Sequence, residues 1–195
     1  MKINNKKILF LIAFFIFFFS IPFIQSFLFS TNHKGRMEIN KIIKADFIKS
    51  DKKIVLLFFG YVGCQDVCTP FLTKLSTIYK SKEFKEIKND VEILFVNLTP
   101  NIDKSQADIF AKYFNKNFHG VYLSKHELFS VDRKFSLFFS QSLNEKSEVN
   151  HTDYLYLINN RNNKLVLNSF YSIHPLEKEK LINDIITLKQ NSEGV

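Results

Sequence analysis

Cys64 and Cys68 are the two cysteines of the chain, and they stand four residues apart in Gly60-Tyr61-Val62-Gly63-Cys64-Gln65-Asp66-Val67-Cys68-Thr69-Pro70. A pair this close shortens an unfolded loop very little, so as a staple it adds little stability. A disulfide scaffold would normally carry more cysteines at wider spacing. The spacing therefore points to chemistry. The pair follows an apolar run and a glycine-containing turn, and it opens a stretch expected to be helical. Free N–H groups and the dipole at a helix start stabilise an anion, so the pKa of Cys64 is expected to be lowered. Positions i and i+4 share one helical face, so both sulfurs can point at one site. Two thiolates suit soft Cu(I), and an imidazole as third ligand lets such a site also hold Cu(II). Zinc would want a fourth ligand, and there is no second cysteine pair. Oxidation of the pair to a disulfide stays open, and with it thiol–disulfide exchange.

The candidates for an imidazole are His33, His119, His126, His151 and His174. Choosing among them requires the elements that carry them. Residues 54–59 (IVLLFF) and 91–98 (VEILFVNL) read as strands buried on both faces. Residues 64–84 read as a helix. Residues 105–114 and 127–139 place apolar side chains at helical spacing, with a short strand at 121–123 between them. Residues 153–158 and 165–169 read as a hairpin across the polar turn Asn159-Asn160-Arg161-Asn162-Asn163-Lys164. Residues 176–188 close the domain as a helix. Strand and helix alternation implies an α/β fold, a mixed central sheet flanked by helices, and a cysteine pair after the first strand narrows it to a thioredoxin-like fold. In that fold the loop before the hairpin lies beside the end of the first strand. His151 occupies that loop and is the best-placed third ligand. His33 falls in a polar segment, His119 and His126 flank the short strand, and His174 precedes Pro175.

These residues also carry a family resemblance. Residues 58–68 (FFGYVGCQDVC) resemble the aromatic-Gly-Tyr-x-x-Cys-Pro-Asp-Val-Cys signature of the Sco/SenC family, copper-binding assembly proteins for cytochrome c oxidase. Residues 150–158 (NHTDYLYLI) resemble the segment with that family's copper-ligand histidine. Thr99-Pro100-Asn101-Ile102-Asp103 resembles its Asp-Pro-x-x-Asp loop. The resemblance covers roughly residues 54–188. It implies that Cys64, Cys68 and His151 bind copper and places Asp66 and Asp103 as candidates near the metal. It also implies two possible activities. One is a copper chaperone, not an enzyme, serving the dinuclear copper centre of an oxidase subunit and exchanging metal with other copper carriers. The other is a thiol–disulfide oxidoreductase, with Cys64 and Cys68 reducing the client's copper-binding cysteines. A peroxidase and a purely structural disulfide are weaker readings. The sequence departs from the pattern at Gln65, where the family has Pro, at Thr69-Pro70, where a Pro would follow the second cysteine directly, and at Thr99, where it has the first loop Asp. The segment before Ile54 is also shorter than the family's N-terminal hairpin.

Residues 8–29 (ILFLIAFFIFFFSIPFIQSFLF) carry no charge, and about 20 helical residues cross a bilayer. No small-x-small cleavage site ends the run, so an uncleaved anchor is expected over a signal peptide. Pro22 inside it is tolerable in lipid. Lys2, Lys6 and Lys7 favour an N-terminus in the cytoplasm, although Lys34, Arg36, Lys41 and Lys44 follow the run. The expected organisation is an anchor over residues 1–30, a linker over 31–53 with a short helix at 38–47, and a copper-binding domain over 54–190. The domain would face the periplasm from the inner membrane, where a reactive cysteine pair fits the redox environment. The net charge of +8 comes from 27 Lys and Arg against 19 Asp and Glu. Those basic residues are scattered and mostly Lys, without the basic-aromatic motif of a nucleic-acid binder, so no nucleic-acid partner is expected. There is no Gly-rich phosphate loop and no paired-carboxylate acid/base site.

Overall fold

Every residue of β2 (Ile54–Gly60) is buried, with Ile54, Leu56 and Phe58 in one core and Val55, Leu57 and Phe59 in the other. A strand that is apolar at every position needs cover on both faces, and this one forms the middle of a three-layer α/β domain. The structure is a computed structural model and describes residues 5–29, 35–142, 148–161 and 164–193. His33 and Lys2 lie outside the described residues, as do Asn162 and Asn163 of the expected hairpin turn.

The chain divides into two units, Met1–Lys34 and Gly35–Val195. The first contains helix α1 (Asn5–Phe29), with Pro22 inside it and large apolar side chains such as Phe15, Phe19 and Phe23 exposed. Among the described residues no helix is long and apolar enough to cross a membrane. The continuous stretch of described side chains in α1, residues 8–24, covers about 25 Å at 1.5 Å per residue, against a hydrocarbon core of about 30 Å.

The second unit begins with β1 (Arg36–Ile43) and β2, followed by α2 (Cys68–Lys80), α3 (Lys82–Lys85) and a 3-10 turn at Lys88–Asp90. Then come β3 (Val91–Asn97), α4 (Lys104–Phe114), β4 (Phe118–Tyr122), α5 (Lys125–Phe135), β5 (Phe139–Gln141) and β6 (Val149–His151). The hairpin β7 (Tyr154–Arg161) and β8 (Lys164–Ser172) precedes α6 (Lys178–Glu193). The six-stranded sheet runs β1-β8-β7-β2-β3-β4, while β5 and β6 pair separately. Strands β2, β3 and β4 are parallel, and β7, β8 and β1 add antiparallel neighbours. One face packs against Phe71, Leu72 and Leu75 of α2 and Leu181, Ile182 and Ile185 of α6. The other packs against Leu128, Val131 and Phe135 of α5.

Four expectations are corrected. Residues 36–43 of the expected linker form an edge strand instead of the helix expected at 38–47, because β8 offers them an antiparallel partner. The helix expected from Cys64 starts at Cys68, and residues 61–67 form a turn that leads into it. Helix α5 stops at Phe135, where Ser136 turns left-handed (φ 52°) and the Leu137 N–H closes on the Asp132 carbonyl. His151 lies within a short strand, paired with Phe139, where a loop was expected.

One close approach fixes the seat of α4 on the sheet. A Cβ added at Gly120 in β4 would stand 1.9 Å from the Ala107 carbonyl oxygen and 2.3 Å from the Asp108 nitrogen, both backbone atoms. The Gly120 N–H donates to Asp108 Oδ1 at 3.1 Å in the same contact.

Candidate metal centre

The end of β2 aims the chain at the site. After Gly60 the backbone enters the turn Tyr61-Val62-Gly63, where Gly63 takes φ +91°, a conformation that glycine adopts without strain. The Cys64 N–H bonds the Tyr61 carbonyl at 3.2 Å and so closes the turn. Cys68 then begins α2, and its N–H donates to Cys64 Sγ at 3.3 Å. The first sulfur thus sits on the open N-terminus of α2, where unpaired N–H groups favour a thiolate. Thr69 Oγ1 ties the Cys64 carbonyl at 2.7 Å. Both cysteines are unbridged and buried, Cys64 at 3 % and Cys68 at 0 % exposure.

His151 arrives from the other direction. It ends β6, and the next residue, Thr152, locks the strand end to Phe138: its N–H donates to the Phe138 carbonyl at 2.9 Å, and its Oγ1 accepts the Phe138 N–H at 2.9 Å. The ring stands edge-on to Phe58 and Tyr61, with centroids 6.3 and 6.2 Å away. Nδ1 lies 3.1 Å from the Thr152 carbonyl. A carbonyl only accepts, so that contact takes the Nδ1 proton, and in the neutral ring Nε2 is the acceptor nitrogen that faces the sulfurs. Nε2 faces Cys68 Sγ at 3.9 Å. One ligand atom from each of Cys64, Cys68 and His151 lies within 4.8 Å of the others.

The two sulfurs are electrostatically unlike. The Cys64 pKa is lowered, first by the Cys68 side chain, which hydrogen-bonds its sulfur, then by His151 and the backbone N–H groups of Cys68 and Val67, against the opposing effect of burial. The Cys68 pKa is raised by that same bond to Cys64 and by burial. Burial and the neighbouring Cys64 charge raise the Tyr61 pKa. A lowered pKa keeps a thiolate as pH falls. In metal-free protein the alkylation rate of Cys64 is therefore expected to stay nearly flat from about pH 8 to pH 5, where an ordinary thiol loses about tenfold per unit. A tenfold fall per unit would contradict the assignment. The expected helix-start effect on Cys64 is present, but the second thiol contributes more.

The other described candidates add no ligand atom to this group. Asp103 caps α4, its Oδ1 accepting from the Ser105 N–H at 2.8 Å and from the Ser105 hydroxyl at 2.6 Å. Asp66 is exposed in the turn between the cysteines and adds no atom to the group. His174 pairs with Asp153 (3.3 Å), His119 stands 3.9 Å from Asp108, and His126 is exposed on α5. Sequence reasoning missed Gly60. A Cβ there would lie 2.6 Å from Cys68 Sγ and 3.0 Å from the Phe95 ring, so Gly60 clears the space that the second sulfur fills. Gly60→Ala should displace that sulfur and lower metal affinity on the order of tenfold, as changes just outside a ligand set do; a competition titration checks it.

The SCO1/SenC family profile matches residues 31–189. The chain belongs to the SCO1/SenC family. It is 26% identical over 124 residues to the SCO2-like protein RP587 of Rickettsia prowazekii (strain Madrid E), an alignment covering 58% of each chain. The chain thus spans less than two thirds of that relative's length. Among solved structures, Arabidopsis thaliana ScoI with copper bound superposes with a TM-score of 0.60 at 25% identity, covering 71% of this chain and 85% of that one. Apo Sco1 from Thermus thermophilus gives 0.58 at 25% identity, covering 78% and 92%. The fold is therefore shared with these two proteins over 71% and 78% of this chain. The donor set fits copper on its own chemistry, with two soft sulfurs and an imidazole nitrogen turned towards them.

Proposed function

We propose that this SCO1/SenC protein carries copper as cargo on Cys64, Cys68 and His151 and delivers it to the copper-bearing subunit of a cytochrome c oxidase. The convergence of two buried sulfurs with an imidazole nitrogen, all within 4.8 Å of one another, carries the reading. The copper bound by the Arabidopsis relative supports it. Delivery goes by ligand exchange, one thiolate at a time, onto the client's own sulfur and imidazole donors. Residues 8–29 would hold the donor in the client's membrane and raise its effective concentration. The uncharged run in the sequence supports such a tether, and the reactive cysteine pair suits a domain on the periplasmic side of a bacterial inner membrane. Protease protection of right-side-out and inverted vesicles checks that placement.

The deciding experiment loads the protein with Cu(I), mixes it with the metal-free copper domain of the oxidase subunit and separates the two. Copper is expected to leave with the client. Retention by the donor under conditions where the client binds free copper would reject delivery.

A thiol reductase role is favoured by one observation, the pairing of a low-pKa sulfur with a buried high-pKa partner. There Cys64 would attack a client disulfide and Cys68 would resolve it. The client would leave as a dithiol, and the pair would become a disulfide. Incubating reduced, metal-free protein with the oxidised client and counting client thiols separates the two. No new thiols eliminates the second role.

A further inference from the structure

Asn97 is the last residue of β3 and is fully buried. A buried carboxamide is costly unless its polar atoms find partners; here one bond reaches the turn that carries Cys64 and the other two go to Thr99. Oδ1 accepts the Val62 N–H at 3.1 Å, across from β3 to the turn after β2, and also accepts the Thr99 hydroxyl at 2.9 Å. Nδ2 donates to the Thr99 carbonyl at 2.6 Å. The orientation of the amide is unambiguous, because the Val62 N–H only donates and the Thr99 carbonyl only accepts. One backbone bond joins the same two segments, from the Leu98 N–H to the Gly60 carbonyl at 2.7 Å.

We infer that Asn97 and Thr99 form a latch that positions the copper-binding cysteines. Asn97 is a positioning residue. It touches neither sulfur, and it acts through Val62, two residues before Cys64. With Val62 held and Gly63 turned, Cys64 Sγ comes to the Cys68 N–H at the start of α2. The latch also accounts for Thr99, where resemblance to the family leads one to expect an aspartate. The Asn97 oxygen already serves the Val62 N–H and has room for one more donor. A threonine hydroxyl supplies that donor, whereas a carboxylate has none. Thr99→Asp would set an acceptor against an acceptor. Flipping the amide to relieve that would turn Nδ2 towards the Val62 N–H, donor against donor.

The copper readout of this inference rests on the proposed function; its metal-free readout does not. The experiment uses the full chain as wild type, Asn97→Leu, Thr99→Asp and Thr99→Ser. Copper affinity is measured by competition, and the sulfur-to-Cu(II) absorption band by titration. In metal-free protein, the Cys64–Cys68 thiol–disulfide equilibrium is measured against glutathione. Asn97→Leu and Thr99→Asp are expected to weaken copper binding about tenfold or more. They should also move the band and shift the glutathione equilibrium by about threefold to tenfold, the range one hydrogen bond commands. Thr99→Ser keeps a hydroxyl and should match the wild type in all three. The latch is overturned if Asn97→Leu lowers the melting temperature yet leaves band, affinity and glutathione equilibrium unchanged, because Asn97 would then be a purely structural residue. It is equally overturned if Thr99→Asp behaves like Thr99→Ser. If even the wild type binds no copper, the proposed function fails, and the glutathione equilibrium alone still decides the latch.

Discussion

His151→Ala is expected to lower copper affinity by more than about 100-fold while the metal-free protein keeps its fold. Loss of a mere outer partner of a ligand already costs 10–100-fold, and this change removes a donor atom. The fold should survive because the ring packs edge-on at the end of the sheet, outside both buried cores. The strand end that carries it is held by Thr152, which the substitution leaves in place. Circular dichroism and a thermal melt of the metal-free variant check the fold, and competition with a Cu(I) chelator checks the affinity. Native affinity in a folded variant would remove His151 from the ligand set.

Gly120→Ala should be the most damaging small substitution for stability. Its methyl group would enter the backbone of α4 at Ala107 and Asp108, where no flexible side chain can yield. Either α4 lifts from β4 or the strand shifts away from β3, with which it is in parallel register from Ile93↔Phe118 to Asn97↔Tyr122. Overpacking of this kind costs about 3 kcal/mol or more. A urea midpoint lowered accordingly, with an unchanged slope, is the expected reading. A stability equal to wild type would mean that the close contact yields without cost.

Strands β2 and β3 were legible in the sequence because both faces are buried, which writes an uninterrupted apolar run. The cysteines were legible through spacing and context. His151 needed its position before the hairpin together with the family resemblance, since a lone histidine has no periodic signature. Strand β1 was not legible. Most of its side chains are exposed, and its partner β8 lies more than 100 residues away in sequence, so no local pattern betrays it. The ladder of β5 and β6 has three pairs, too few for an alternating pattern. Asp103 resembled a residue near the metal, yet Ser105 two residues on makes it a helix cap, a local use that competes for the carboxylate. Asn97 gave no sign at all, because a polar residue closing a strand reads as the start of a loop unless one knows what it faces.

The three-pair ladder also decides how the cage can open. Both sulfurs rest on the main sheet and the first turn of α2, whereas the imidazole rides on a small appendage stitched by three residue pairs and the Thr152 clasp. Such a short ladder unzips at far lower free energy than a central strand. On the proposed function, a copper ion held here would lose its nitrogen donor before its sulfurs, which would give an incoming acceptor a vacant coordination position without asking the body of the protein to unfold.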